Sequence, residues 1–346
     1  MLRFFFNEYK KRRKNNILNL RYRYKKNYAI IGAGSHNLAN IYPSLWHLGV
    51  PVRKICANNK ANAIKAAAMF TNCTGTDQIE EILHDHSIEA VVVCTKPELH
   101  SKLSALLLNH NKHVFVEKPL GHSIAELNTV IMAQKDLICH VGLQRRFSKV
   151  TSILKKLCKN TISYNYKFLV GAYPEGKAIY DIFIHPIDFV LHLFGNAEVE
   201  HVSMVKENGE KTYFIQLAHS GVKGTIELST NYSWQRTVDH IVINTSSQTI
   251  TAHYPDHVSA INKIPSLLSL PLEKIIVQPL QQKIYLDTHN FTHTVAWNSI
   301  NVQGFYPALK NFAHAVENNK NITTFSNAKS LMPVYIILEK LDASAE

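Results

Sequence analysis

Three short stretches of the chain carry residue types suited to moving a hydride and a proton. The first is Gly32-Ala33-Gly34-Ser35-His36-Asn37, which follows an apolar run and opens a helical one. Glycine at its first position permits a tight turn. At the second it lets the backbone approach a pyrophosphate, whose charge a helix N-terminus stabilises. The third position ordinarily holds Gly or Ala for close helix–strand packing, and here it is Asn37. A G-x-G pair by itself also fits any tight strand-to-helix turn. The second stretch is Glu117-Lys118-Pro119, directly after Val114-Phe115-Val116. An ammonium at the carboxyl end of a buried parallel strand lies where open α/β sheets bind ligands. A surface ion pair is the competing reading. The third is Asp181-Ile182-Phe183-Ile184-His185, followed by Pro186 and Asp188. Four residues apart on a helix, Asp181 and His185 share a face, and Pro186 puts the pair near that helix's N-terminus. Imidazole suits proton transfer near neutral pH, and a carboxylate beside it can orient it. With 19 His in the chain, a structural pairing is the competing reading.

The end of the second strand ordinarily bears an acid for the ribose hydroxyls. Here it reads Ile55-Cys56-Ala57-Asn58-Asn59-Lys60, without a carboxylate. A 2′-phosphate is then not repelled, and Asn58, Asn59 and Lys60 can donate to it, which favours NADP while leaving NAD possible.

The elements that must position these groups follow from patterning. From Tyr28 to Gly142, apolar strands alternate with helical segments, and runs such as Ala90–Val93 lack polar alternation. Strands covered on both faces read this way, so the N-terminal part is expected to be a doubly wound parallel sheet. After about Phe147, stretches such as Tyr213–Leu217 and Val222–Leu228 alternate as antiparallel strands do. Asp181–Phe194, Phe305–Asn318 and Ala328–Leu341 read as helices, and Ile264–Leu272 as an irregular loop. The expected division is a basic extension at 1–27, a Rossmann domain at 28–146 and an α+β domain at 147–346.

The net charge of +12 invites a nucleic-acid reading, but ten of the 38 basic residues fall within residues 1–28. The body is close to neutral. A segment like Lys10–Lys14 can touch phosphates or an anionic surface, but it reads equally as a solvated extension. Five cysteines without C-x-x-C spacing suggest a reducing compartment and offer no zinc pattern. Neither a secretory signal nor an apolar run of the ~20 residues that a span requires is evident. The expected setting is the cytoplasm, with no membrane span and no nucleic-acid partner.

Taken together, the motifs resemble the glucose–fructose oxidoreductase / inositol dehydrogenase (Gfo/Idh/MocA) family. The resemblance rests on Gly32–Asn37, Val93–His100, Glu117–Pro119, Gly142–Phe147, Asp181-x-x-x-His185-x-x-Asp188 and Gly304–Pro307. It implies a Rossmann domain followed by a domain with a large, mostly antiparallel sheet, and homo-oligomers packed through that sheet. It implies that His185 exchanges the substrate's proton, Lys118 polarises the reacting oxygen and contacts cofactor, and Asp181 orients the site. It also implies that Thr95, Lys96, Pro97, His100, Glu117 and Gln144 line the nicotinamide and ribose region, where Glu98 stands in place of the family's frequent Asn. The activity so implied is NAD(P)-dependent hydride transfer at a hydroxyl or carbonyl carbon of a sugar, cyclitol or nucleotide-sugar. The alternative is a non-catalytic NAD(P)-binding sensor of the same fold. Tyr173, Lys177 and Tyr180, just ahead of the catalytic segment, are placed to face a substrate.

Overall fold

The computed structural model describes residues 2–18, 24–264, 266–267, 270–274, 281–288, 299–319 and 326–344. Arg21, Arg23 and part of the loop expected at Ile264–Leu272 lie outside them. The chain divides into two compact units, Met1–Gly142 with Phe305–Ser330, and Leu143–Gly304 with Leu331–Glu346. The return of Phe305–Ser330 to the first unit is not foreshadowed by the sequence reading.

The first unit begins with helix α1 (Leu2–Leu18), in the stretch that the sequence marks as a basic extension without assigning it a helix. Phe4, Phe5, Phe6 and Tyr9 on it are exposed. From Tyr24, which is buried, the chain is fixed: the backbone N–H groups of Lys25 and Lys26 both donate to Glu317 Oε1 at 2.8 Å. The elements that follow are β1 (Asn27–Ile31), α2 (Tyr42–Leu48), β2 (Val52–Cys56), α3 (Lys60–Ala67), β3 (Thr74–Thr76), α4 (Glu80–Leu83), β4 (Ile88–Val93), α5 (Pro97–Asn109), β5 (His113–Glu117), α6 (Ile124–Gln134) and β6 (Cys139–Gly142). The six strands are parallel and ordered β3-β2-β1-β4-β5-β6. Strand order reverses between β1 and β4, the place where such sheets open a crevice at their carboxyl edge. Val91, Val92, Val93, Val114 and Val116 are fully buried, as strands covered on both faces require.

The second unit contains α7 (Lys149–Leu157), β7 (Thr161–Leu169), α8 (Ala178–Asp181), α9 (Ile184–Phe194), β8 (Ala197–Glu207), β9 (Glu210–His219), β10 (Val222–Ser229), β11 (Val238–Thr245), β12 (Gln248–His253) and β13 (His257–Asn262). After these come the short pair β14 (Ser266–Leu267) and β15 (Leu270–Pro271), β16 (Gln282–Asp287) and α10 (Ser299–Val302). Helix α11 (Phe305–Asn318) belongs to the first unit and α12 (Met332–Ala343) to the second. The large sheet is ordered β16-β13-β12-β11-β7-β10-β9-β8, and all its pairings are antiparallel except β7 with β10. Tyr164, Tyr166 and Phe168 alternate inward along β7, and Phe183 and Phe189 pack against them. No helix among the described residues is long and apolar enough to cross a membrane.

Candidate functional site

In the first unit the glycine turn closes against the end of β4. Gly32 has φ +110°, and a Cβ there would sit 2.1 Å from the Cys94 carbonyl oxygen, so only glycine fits. The Tyr42 hydroxyl donates to the Gly32 carbonyl at 3.0 Å and braces the turn from the helix that follows. A Cβ built on Gly34 meets nothing nearer than Asn37 Nδ2 at 3.9 Å, which leaves the approach that a diphosphate requires. Asn37 is buried, and its side-chain amide donates to the Cys94 carbonyl at 2.5 Å. In place of the close packing that Gly or Ala provides, the turn is tied to the next strand by a side-chain bond. Residues Asn37–Ile41 form one turn of π-helix, a distortion frequent at functional sites.

Ser35 and His36 are exposed on this turn. The packing around the His36 ring, and then the positive charge of Lys118, lower its proton affinity. Phe305 meets the His36 ring edge-on at 5.5 Å. The Lys118–Pro119 peptide is cis. Glu117 is buried, and burial pushes its carboxyl up to about 7 although Lys118 works the other way. Its Oε1 is buried without a hydrogen-bond partner among the described residues, and a Cβ on Gly142 would stand 2.7 Å from it. His100 is buried, with Nδ1 2.7 Å from the Pro119 carbonyl and Nε2 3.0 Å from the Thr95 carbonyl. It therefore braces two loops at the sheet's carboxyl edge. Lys96 and Pro97 open α5, with Pro97 at its first turn. Asn58, Asn59 and Lys60 are exposed at the start of α3, where Asn59 Oδ1 caps the helix by accepting the Asn62 N–H at 3.0 Å.

In the second unit, the continuous helix expected over Asp181–Phe194 is broken. Asp181 ends α8, residues 182–183 turn, and His185 lies in the first turn of α9. Both side chains are buried. At the break the Phe183 N–H reaches back five residues to the Ala178 carbonyl at 2.9 Å, and Asp181 Oδ2 accepts the Lys177 N–H at 2.9 Å, which caps the start of α8. A Cβ on Gly176 would lie 2.2 Å from the same oxygen. Asp188 forms a forked ion pair with Arg146, so this third member of the motif is held by a guanidinium. Tyr180 is buried, with its hydroxyl 3.3 Å from Asp342. Gln144 opens a short 3₁₀ turn, Gln144–Phe147, and its Oε1 is buried without a partner. The adjacent Arg145 lies beneath that turn, bonded to Tyr166 and to Asp239 at 3.1 and 2.6 Å, with the Tyr254 ring at 4.3 Å. Sequence reasoning missed this anchor, since nothing in Arg145-Arg146 alone tells a buried cation from a solvated one.

The residues present fit a dinucleotide. Gly34 is open to a diphosphate, and in the same unit Glu117 presents a buried oxygen, Oε1, without a partner among the described residues and able to accept an amide N–H. Residues 26–143 match the oxidoreductase family model described as GFO_IDH_MocA, NAD-binding Rossmann fold. The chain is 33% identical over 168 residues to the scyllo-inositol 2-dehydrogenase (NADP⁺) IolW of Bacillus subtilis, covering 43% of this chain and 47% of that protein. It is 30% identical over 136 residues to a myo-inositol 2-dehydrogenase of Thermotoga maritima, covering 35% and 40%. The match thus spans less than half the length of either relative. Among solved structures, a dehydrogenase from Chromobacterium violaceum superposes with TM-score 0.80 at 17% identity, covering 92% of this chain and 95% of that one. A levoglucosan dehydrogenase solved with NADH and L-sorbose superposes with TM-score 0.75 at 17% identity, covering 92% and 96%. At such identities the likeness speaks for the fold. Residues 26–143 thus carry the NAD-binding Rossmann fold of the Gfo/Idh/MocA oxidoreductase family, and the likeness over the rest of the chain is one of fold.

Proposed function

We propose that this protein is an NAD(P)-dependent dehydrogenase or reductase acting at a hydroxyl or carbonyl carbon of a cyclitol, sugar or nucleotide-sugar. The observation that carries the reading is an open glycine turn at the carboxyl edge of the parallel sheet, with Glu117, whose buried Oε1 has no partner among the described residues, ending β5 at that same edge and Lys118 following it. When bound, the nicotinamide supplies hydride transfer, and the protein supplies position and charge. Lys118 polarises the reacting oxygen, His185 takes or gives its proton, and Asp181, pinned by the Lys177 N–H, orients the substrate. Gly32 and Gly34 admit the diphosphate, Ser35 and His36 flank it, and Asn37 fixes the turn. Thr95, Lys96, Pro97, Glu117 and Gln144 line the nicotinamide and ribose, and His100 holds that lining in place.

NADP is the favoured cofactor, because Asn58, Asn59 and Lys60 offer donors and no carboxylate where the 2′-position falls. The names of the relatives, two inositol dehydrogenases and a levoglucosan dehydrogenase, favour a ring polyol. The test is Lys118→Ala. Turnover of a cyclitol and aldose panel should fall about 10²–10⁴-fold, the range of a lost acid–base or polarising group, with NADPH affinity kept within a few-fold. Undiminished turnover in the variant would overturn the assignment, and a wild type that binds NADPH but oxidises or reduces no member of the panel would favour a sensor.

A further inference from the structure

Strands β7 and β10 are parallel neighbours, so the segments that leave their ends emerge side by side. The two stay joined beyond the sheet: the Val170 N–H donates to the Ser229 carbonyl at 2.9 Å, and the Tyr232 N–H to the Val170 carbonyl at 3.0 Å. Next along, the indole N–H of Trp234 donates to the Ala172 carbonyl at 2.7 Å. Its ring lies against Gly171, where a Cβ would come within 2.5 Å of Trp234 Cδ1. The indole is thereby oriented, its one polar atom satisfied, and yet Trp234 remains 53% exposed. The same loop runs on through Tyr173 and Gly176 to Asp181. A Cβ on Gly176 would lie 3.3 Å from the Tyr173 ring and 2.2 Å from Asp181 Oδ2. A rigid, half-exposed indole thus stands at one end of the loop whose other end holds the substrate-orienting carboxylate. An apolar surface with its polar edge already bonded is a stacking platform rather than a hydrogen-bonding group.

The geometry points to Trp234 as a specificity-determining residue that stacks on the C–H face of a six-membered polyol ring, a cyclitol or pyranose whose hydroxyls are equatorial. This rests on the reading of the protein as a polyol oxidoreductase. The negative face of an indole attracts the positive edge of axial C–H bonds. The equatorial hydroxyls then point outward, toward donors and acceptors such as Asp181, Tyr173 and Lys177. An axial hydroxyl on the stacked face would lose water to a surface that cannot hydrogen-bond it, and that epimer is discriminated against.

The test compares Trp234→Leu and Trp234→Phe with the wild type on three probes: a ring polyol with equatorial hydroxyls, its epimer with one axial hydroxyl, and the open-chain polyol sorbitol. Trp234→Leu should raise KM for the equatorial ring about five- to tenfold, as the loss of one aromatic stacking contact does. Its kcat and NADPH affinity should stay within twofold, the preference over the axial epimer should shrink, and KM for sorbitol should not move. Trp234→Phe, which keeps a ring but loses the bond to Ala172, should lie between. Unchanged KM for the ring, an equal rise for sorbitol, or an effect confined to inhibition by a nucleoside diphosphate would overturn the assignment. Because those outcomes leave Lys118-dependent turnover intact, they are distinguishable from failure of the oxidoreductase reading, in which the wild type turns over none of the probes.

Discussion

Asn37 stands where a dinucleotide turn ordinarily has Gly or Ala, and its amide converts that departure into a bond to the buried Cys94 carbonyl. Truncation to Ala removes a buried donor and leaves that carbonyl short of a partner, at a cost of about 1–3 kcal/mol. Asn37→Ala should therefore lower Tm and weaken NADPH binding, both measurable by thermal unfolding with and without cofactor. Glu117 is a second residue whose environment sets its behaviour. Its carboxyl is raised from 4.5 to about 7 by burial, so the folded chain holds the proton more tightly than the unfolded chain. The associated stability is fully present below pH 4.5 and is lost as pH rises through about 7. Glu117→Gln should thus stabilise the chain at pH 8 by about 1–3 kcal/mol, seen as a higher Tm, and bring no gain near pH 4. The glycine turn and the Glu-Lys-Pro stretch stand out in the sequence because each directly follows an apolar strand, so that position in the pattern adds to residue type. The bracing role of His100 was not, since it depends on two carbonyls 5 and 19 residues away.

At the scale of elements, the parallel sheet was readable from uninterrupted apolar runs, while the middle of the second sheet was not. Strand β7 alternates well in Thr161–Leu169, yet its partners β10 and β11 lie far along the chain, and no local turn announces them. The Asp181–His185 segment has helical spacing, and the sequence predicts one helix. The structure has two, separated where the Phe183 N–H bonds the Ala178 carbonyl five residues back in place of a regular helical partner. Arg145 fixes the turn that carries Gln144 to β7 and β11 through Tyr166 and Asp239. Removing one member of such a buried pair costs about 3–5 kcal/mol because the other charge is stranded. Asp239→Ala should unfold the second unit at markedly lower temperature, whereas replacing the exposed pair Lys223–Glu200 should change Tm little.

Over the whole molecule, two half-buried histidines, one in each unit, confer acid sensitivity. Burial, then Lys26, brings His113 from 6.5 down to about 4. Burial, then Arg146 and Lys155, brings His192 down to about 3. The folded chain keeps both rings neutral where the unfolded chain protonates them, so stability falls as pH drops from 6.5 toward 4. Replacing both with Gln should flatten Tm across that window. The account as a whole stands on hydride transfer at a polyol carbon, assisted by Lys118 and His185. The most direct measurement follows the ultraviolet absorbance of reduced nicotinamide when wild-type protein, Lys118→Ala and His185→Ala are mixed with NADP and a cyclitol panel. The account predicts reduction of NADP by the wild type and a loss of about 10²–10⁴-fold in each variant, with NADPH still bound. Equal rates in all three proteins would contradict it.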